Sequence, residues 1–128
     1  MSPSDFPEFY DPDLFKKSKY WVAISTLTGE MLGGIGLKPH CKDPSRKDIE
    51  WLNGFTVKPE ARSMGIGRVL FETALNNLEN DTRLLRLLTF DRLKVAVQMY
   101  IKYGFYILEQ MTENEYWTLL IMEKLISQ

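Results

Sequence analysis

Residues 56–67 constrain this chain more than any other part of the sequence. A β-branched and apolar run, Ile49–Val57, precedes Pro59, and an apolar pattern of helical spacing begins around Gly65 and Gly67. A strand that turns through an Arg-x-x-Gly-x-Gly sequence into a helix exposes backbone N–H groups at the positive end of the helix dipole. Such a turn binds phosphate oxygens, so the sequence predicts a phosphorylated ligand.

The glycine spacing excludes two familiar phosphate-binding motifs. The dinucleotide fingerprint Gly-x-Gly-x-x-Gly is broken because Leu70 stands where the third glycine allows close helix–strand packing. The nucleotide P-loop is absent because no Gly-Lys-Ser/Thr sequence follows the turn. The turn alone is a weak signal, and its place between a predicted strand and a predicted amphipathic helix strengthens it.

Hydrophobic periodicity predicts the other elements. Strands are predicted at residues 20–26, 31–37, 48–58, 84–90, 106–108 and 116–126. One helix is predicted after the glycine turn, with Ile66, Leu70, Ala74 and Leu78 on one stripe, and a second over residues 96–103, ended by Gly104. In the third strand, alternation predicts one face for Ile49, Trp51, Asn53, Phe55 and Val57. The glycines of the second strand predict a bulge or a close backbone approach.

The order of these elements predicts an α/β fold. The strand–helix–strand stretch over residues 48–90 is expected to be a right-handed parallel crossover, whereas the hairpin before it is antiparallel. We therefore expect a mixed, mostly antiparallel sheet with a central parallel β-α-β crossover. Residues 1–19 are predicted as a coil or short N-terminal segment, and residues 20–128 as one domain.

Composition narrows the class of protein. A chain of 128 residues can bury a proper core, and a formal net charge of -1 argues against a nucleic-acid partner. Cys41 is the only cysteine, so no intramolecular disulfide and no metal site are expected. No apolar run approaches the roughly 20 residues of a membrane span, and the acidic start is unlike a secretory signal. A cytoplasmic location is therefore expected.

A second motif lies about one crossover after the glycine turn. Residues 96–105 read Ala-x-x-x-Tyr-x-Lys-x-Gly-Phe. This segment resembles one in the GNAT superfamily of acyl-CoA N-acyltransferases, where it also follows an Arg-x-x-Gly-x-Gly turn. The resemblance covers residues 20–125, and a finer likeness to the camello-like subgroup rests on residues 21–23, Gly29 and Gly34.

The resemblance implies the acyl-CoA N-acyltransferase fold and transfer of an acetyl group from acetyl-CoA to a primary amine by direct attack. In that family the turn cradles the CoA diphosphate, and the preceding strand pairs with the pantetheine arm and polarises the thioester carbonyl through an N–H near Val57. The cofactor-binding residues so implied are Phe55, Thr56, Val57, Arg62, Ser63, Met64, Gly65, Ile66, Gly67 and Arg68.

The resemblance also bears on catalysis. Tyr100 matches the tyrosine that protonates the leaving thiolate, and a phenol of pKa about 10 suits a thiol of pKa about 8.5. A plain core position is the other interpretation of Tyr100. Glu50 is a candidate base for the acceptor amine, with a solvated edge carboxylate as the alternative. His40 is interpreted as a surface side chain, and Cys41 matches no nucleophile position, which favours direct attack.

Several features depart from the family pattern. Ser63 and Met64 stand where a glycine and a basic residue are common, and Leu93 replaces an asparagine that bonds the pantetheine arm. Residues 1–19 are too few for the usual N-terminal strand and two helices, so an open acceptor site is expected. Two alternatives remain: a non-catalytic CoA-binding or interaction module, and a phosphate-binding domain unrelated to CoA. The terminal strands also suggest a homodimer.

Overall fold

The computed structural model describes residues 18–40, 45–112 and 114–127. The strands are β1 (Lys19–Ile24), β2 (Met31–Pro39), β3 (Ile49–Val57), β4 (Leu84–Phe90), β5 (Tyr106–Thr112) and β6 (Thr118–Leu125). A short 3-10 helix, Pro59–Met64, follows β3 and leads into α1 (Ile66–Asn76), and α2 (Lys94–Lys102) lies between β4 and β5. All six strands form one sheet in the order β1-β2-β3-β4-β6-β5.

The sheet is mixed and mostly antiparallel. Only β3 and β4 pair in parallel, and the connection between them is α1. The other four pairings are antiparallel. The helix α1 connects β3 to β4, and α2 connects β4 to β5, so both connections run in the same direction across the sheet. Because both are right-handed, the two helices lie on the same side of the sheet. The predicted fold class is confirmed.

The core lies between this side of the sheet, here called the helix face, and the two helices. Its fully buried members come from four strands, from α1 and from the segment after α2: Ile35, Leu37, Leu52, Leu70, Phe71, Ala74, Leu85, Leu87, Phe105, Leu120 and Met122. The opposite side, here called the outer face, carries alternate residues of the same strands. It includes Val22 of β1 and Leu88 and Phe90 of β4, which are apolar and exposed.

Gly34 and Gly36 of β2 lie beneath a tyrosine on the outer face. A Cβ atom at Gly34 would come within 2.9 Å of three atoms of Tyr20, and one at Gly36 would meet the same ring at 2.8 Å. The Tyr20 hydroxyl donates a hydrogen bond of 3.0 Å to the carbonyl oxygen of Gly54. The β2–β3 register shifts between Gly34 and Gly36. The predicted close approach in β2 is therefore present, whereas the bulge at this point belongs to β3, where two residues face the single Ile35.

The predicted alternation of β3 is wrong beyond Gly54. This residue has φ 58 and supplies the extra residue of a bulge opposite Gly34 and Gly36. A bulge shifts the two-residue period by one position, so the residues that follow it change sides. Trp51 lies on the outer face, whereas Phe55 and Val57 pack against the core on the helix face.

The predicted order of elements agrees with the structure. The predicted strand over residues 84–90 has the same bounds as β4, and β5 is four residues longer than predicted, ending at Thr112. The 3-10 helix Pro59–Met64 was not predicted. The predictions for the N-terminal segment concern residues that lie almost wholly outside the described ranges. No helix within those ranges is long and apolar enough to cross a membrane.

Candidate functional site

An opening separates β3 from β4 over half of their length. The two strands pair only where residues 49–51 of β3 meet residues 84–86 of β4. Beyond this point β3 continues to Val57 and β4 to Phe90 with no strand pairing between them in the described chain. The opening therefore exposes an unpaired edge of β3, where an extended ligand can hydrogen-bond to the backbone.

The peptide groups of Val57 face this opening. Val57 lies opposite Gly33 in β2, and the N–H of Lys58 donates to the carbonyl of Leu32 at 2.8 Å. In an antiparallel pair this pattern makes Val57 and Gly33 a non-hydrogen-bonded pair, so the N–H and C=O of Val57 point away from β2. The Arg62 Nε donates to the Val57 carbonyl oxygen at 3.3 Å. Val57 thus presents a donor and an acceptor on the open edge.

A cradle of backbone N–H groups follows at the end of the opening. Gly65 adopts a left-handed conformation with φ 78 and caps the start of α1. The N–H of Val69 donates to Gly65 at 3.2 Å, so the N–H groups of Ile66, Gly67 and Arg68 have no acceptor within the helix. No side chain of the described residues caps this end of α1. Free N–H groups at a helix N-terminus bind anions such as phosphate.

The charged side chains around the cradle are held only by weak contacts. Arg68 lies 3.4 Å from Glu72, and Lys58 lies 3.6 Å from Glu30 and 3.9 Å from Glu60. All of these side chains are largely exposed, and exposed ion pairs contribute little. Lys58 and Arg68 can therefore turn toward an anionic ligand with little loss of stabilising free energy.

The two glycines of the cradle differ in what they permit. Gly65 has a positive φ that a side chain disfavours, although a Cβ there would meet no atom within 4 Å. A Cβ at Gly67 would touch Val57 Cγ2 at an ordinary 3.5 Å, in a helical position.

We expect Gly65→Ala to destabilise the fold by about 1–2 kcal/mol and Gly67→Ala to stabilise it by about 0.5–1 kcal/mol. Urea unfolding of both variants measures the difference, and equal effects would contradict the assigned backbone geometry.

Tyr100 stands beside the open half of β3. Its ring centroid lies 6.4 Å from that of Phe55 and 5.8 Å from that of Phe105, and only 9% of the residue is exposed. Among the described residues, its hydroxyl has no hydrogen-bond partner. Burial raises the pKa of Tyr100 above its ordinary value. The ring is therefore part of the core, as one interpretation predicted, and its hydroxyl remains available to a ligand.

A family model for the acetyltransferase (GNAT) domain matches residues 16–107, well over half of the chain. The chain belongs to the GNAT acetyltransferase family. The family that the two sequence motifs resemble is therefore confirmed. A comparison with curated protein sequences finds no match.

Solved structures of proteins named as acetyltransferases share the fold at low sequence identity. A GCN5-related N-acetyltransferase from Kribbella flavida is 21% identical with a TM-score of 0.71, over 86% of this chain and 68% of that one. A GNAT-family protein from Desulfovibrio desulfuricans is 15% identical with a TM-score of 0.76, over 99% and 84%. The protein yncA from Salmonella typhimurium, solved with its cofactor acetyl-CoA, is 12% identical with a TM-score of 0.72, over 100% and 76%.

The GNAT chain keeps Glu50 away from the opening. Glu50 is buried at the start of β3, where strands β3 and β4 are paired. Its carboxylate accepts hydrogen bonds from the Thr82 hydroxyl at 2.5 Å and from the Glu79 N–H at 2.9 Å. Residues 50 and 57 are about 20 Å apart at the usual rise of a strand. The structure thus excludes a solvated edge carboxylate and gives Glu50 a role in joining β3 to the segment after α1.

We expect Glu50→Gln to lower the free energy of unfolding by about 1–2 kcal/mol, because hydrogen bonds to a charged acceptor are stronger than those to an amide. The value of kcat should change little, since the side chain lies far from the reacting atoms. Chemical denaturation and steady-state kinetics on one preparation measure both quantities. A loss of kcat by a factor of about 100 with unchanged stability would instead identify Glu50 as the catalytic base.

His40 also differs from its predicted role. The Trp51 Nε1–H donates to His40 Nδ1 at 2.9 Å, and the two rings stack with an interplanar angle of 8°. The histidine is half-buried rather than fully exposed. Cys41 lies outside the described ranges. Within those ranges no group of three His, Cys, Asp or Glu side chains could hold a metal ion.

Sequence reasoning missed the residues on the other side of the opening. A cavity of about 550 Å³ lies at the C-terminal end of β4 and is lined by Asp91, Arg92 and Lys94. Phe90 and Trp117, close by, form an edge-to-face pair with ring centroids 6.3 Å apart. No motif marks these residues. Only the strand pairing that places Phe90 opposite Leu119 brings them together.

Proposed function

We propose that this GNAT chain is an N-acetyltransferase that uses acetyl-CoA and transfers the acetyl group to a primary amine by direct attack. One observation carries the proposal: the unpaired edge of β3, with the peptide groups of Val57 facing it, is joined by the short 3-10 helix to the N–H cradle at the start of α1. An acyl-CoA has matching parts, an extended amide-containing arm joined to a diphosphate.

The donor is proposed to bind in two parts. The N–H groups of Ile66, Gly67 and Arg68 hold the diphosphate, together with the backbone of Ser63, Met64 and Gly65. The pantetheine arm extends along Phe55, Thr56 and Val57 as an added strand. Arg62, which already contacts the carbonyl of Val57, places a positive charge between the two parts. The bound acetyl-CoA in the Salmonella protein of the same fold supports this donor.

The chemistry needs little from the protein beyond positioning and two hydrogen-bond donors. The lone pair of the amine forms a C–N bond to the thioester carbonyl carbon, and the C–S bond breaks. A backbone N–H of the β3 edge stabilises the oxyanion of the tetrahedral intermediate. The Tyr100 hydroxyl gives its proton to the departing thiolate. The amine nitrogen loses one proton to solvent, and solvent returns one proton to the phenolate of Tyr100. The products are an N-acetylamine and CoA thiol.

A non-catalytic CoA-binding module is the second candidate. It is favoured by Leu93, an exposed residue at the start of α2 that offers no polar group to the pantetheine arm and no side-chain cap to the helix. A weaker hold on the arm would misplace the thioester and slow transfer. The cytoplasmic location, the homodimer and the lack of a nucleic-acid partner stay predictions.

Release of free thiol from acetyl-CoA separates the two candidates. The proposed enzyme should release thiol when a mixed panel of primary amines is added at millimolar concentration, and only slowly without them. A binding module would stabilise on adding CoA and would release no thiol with any amine. The matched control is Val95→Ala on the exposed side of α2, which should leave the rate unchanged.

A further inference from the structure

The opening can be approached freely from only one side of the sheet. On the helix face, Phe55, Phe71, Tyr100 and Phe105 form a cluster of four rings with neighbouring centroids 5.8–6.4 Å apart. Three of the four residues are buried. An amine that attacks a thioester lying in the opening must therefore come from the outer face.

The outer face beside the opening is apolar and aromatic. Leu88 and Phe90 project from the unpaired half of β4, and Trp117 packs edge-to-face on Phe90. Phe90 and Trp117 are 40% and 43% exposed, which is unusual for two large aromatic side chains in contact. An exposed aromatic pair at the mouth of a binding site offers a rigid surface to an apolar or cationic group.

A carboxylate lies next to this aromatic pair. Asp91 follows Phe90 directly, and its Oδ1 accepts a hydrogen bond of 2.8 Å from the N–H of Thr118, the residue after Trp117. The Thr118 carbonyl in turn accepts from the Asp91 N–H at 2.9 Å. These two bonds fix Asp91 against the backbone of Thr118, so the carboxylate lies one residue along the chain from Phe90. Its second oxygen has no partner among the described residues and can accept from an ammonium group.

We infer that the acceptor is a primary amine attached to an aromatic or other flat apolar body. The body packs on Leu88, Phe90 and Trp117, here called the aromatic subsite. The Asp91 carboxylate attracts the ammonium group of the substrate, which then loses a proton before it attacks. The inference rests on the proposed acetyl transfer and specifies its substrate class. The charge pair is open to any primary amine, so the apolar contacts are what favour such an amine over a small polar one.

Two amines with the same reacting group test this inference. With saturating acetyl-CoA, 2-phenylethylamine should be acetylated with a kcat/KM at least about 10-fold above that of ethanolamine. Trp117→Ala should reduce this ratio about 10-fold, mainly by raising KM for 2-phenylethylamine. Leu125→Ala removes an exposed apolar side chain at the far end of the same face and should leave the ratio unchanged. The rise in melting temperature with CoA should be the same in both variants.

The outcomes separate the inference from the function on which it rests. If amines are acetylated but 2-phenylethylamine is not preferred, or if Trp117→Ala and Leu125→Ala change the ratio equally, the aromatic subsite is overturned and the acetyltransferase stands. If CoA causes no stabilisation and no amine is acetylated, the proposed function itself fails. Circular dichroism of Trp117→Ala excludes unfolding as the cause of a lost preference.

Discussion

Tyr100→Phe is expected to lower kcat by a factor of about 10² to 10⁴ while the Kd for acetyl-CoA stays nearly unchanged. The ring remains and keeps its packing on Phe55 and Phe105, so the donor site is preserved. Only the hydroxyl is lost, and that group has no protein partner among the described residues whose loss would disturb the fold. Steady-state kinetics together with calorimetric titration of CoA measure the two quantities.

The pH dependence gives a second view of the same residue. An acid catalyst loses activity as the pH rises through its pKa, and burial holds the pKa of Tyr100 above the ordinary value of about 10 for a tyrosine. The kcat of the natural protein should therefore show no decline below a pH of about 10 that can be assigned to this phenol. A Tyr100→Phe enzyme with full kcat would show that solvent protonates the thiolate and that Tyr100 is only a core residue.

Saturating acetyl-CoA should stabilise the protein, and Gly65→Glu should remove the effect. A ligand at about 100 times its Kd adds roughly 2.7 kcal/mol to the apparent free energy of unfolding. A glutamate at position 65 would put a carboxylate beside the diphosphate and impose a side chain on a left-handed residue. Melting temperatures with and without CoA measure the gain.

The controls for this second prediction use the other glycine and other nucleotides. Gly67→Ala directs its added methyl group toward Val57 and should keep the CoA effect. ATP and NAD at the same concentration should stabilise less than CoA, since neither has a pantetheine arm for the edge of β3. An equal response to all three would support a general phosphate-binding domain.

Much of the fold could be predicted because each element carries its own local pattern. The apolar runs, the glycine turn and Gly104 predicted the order of the strands and helices, and they predicted the bounds of these elements to within a few residues. The bulge in β3 could not be predicted in this way. Gly54 has the positive φ that the bulge requires, but a single glycine in an alternating strand also fits a regular strand. Its effect on Phe55 and Val57 follows only from the pairing with β2.

The candidate site likewise has parts that the local sequence predicts and parts that depend on contacts between distant residues. Backbone groups that follow one another in sequence, such as those at Gly65 and Ile66, could be predicted from the turn. The position of Glu50 could not, because its partner Thr82 is remote in sequence and the alternation of β3 does not reveal the hydrogen bond. The aromatic subsite depends on the pairing of β4 with β6 and has no motif.

Mass spectrometry of a single turnover tests acetyl transfer most directly. Protein in molar excess over acetyl-CoA is mixed with acetyl-CoA and a panel of primary amines, and the mass of every product is measured. We predict one N-acetylamine and one CoA thiol for each acetyl-CoA consumed, with no acetylated form of the protein at any time, because the amine attacks the thioester directly. Intact acetyl-CoA after many minutes with every amine would contradict the proposed function, and an acetylated protein intermediate would contradict direct attack.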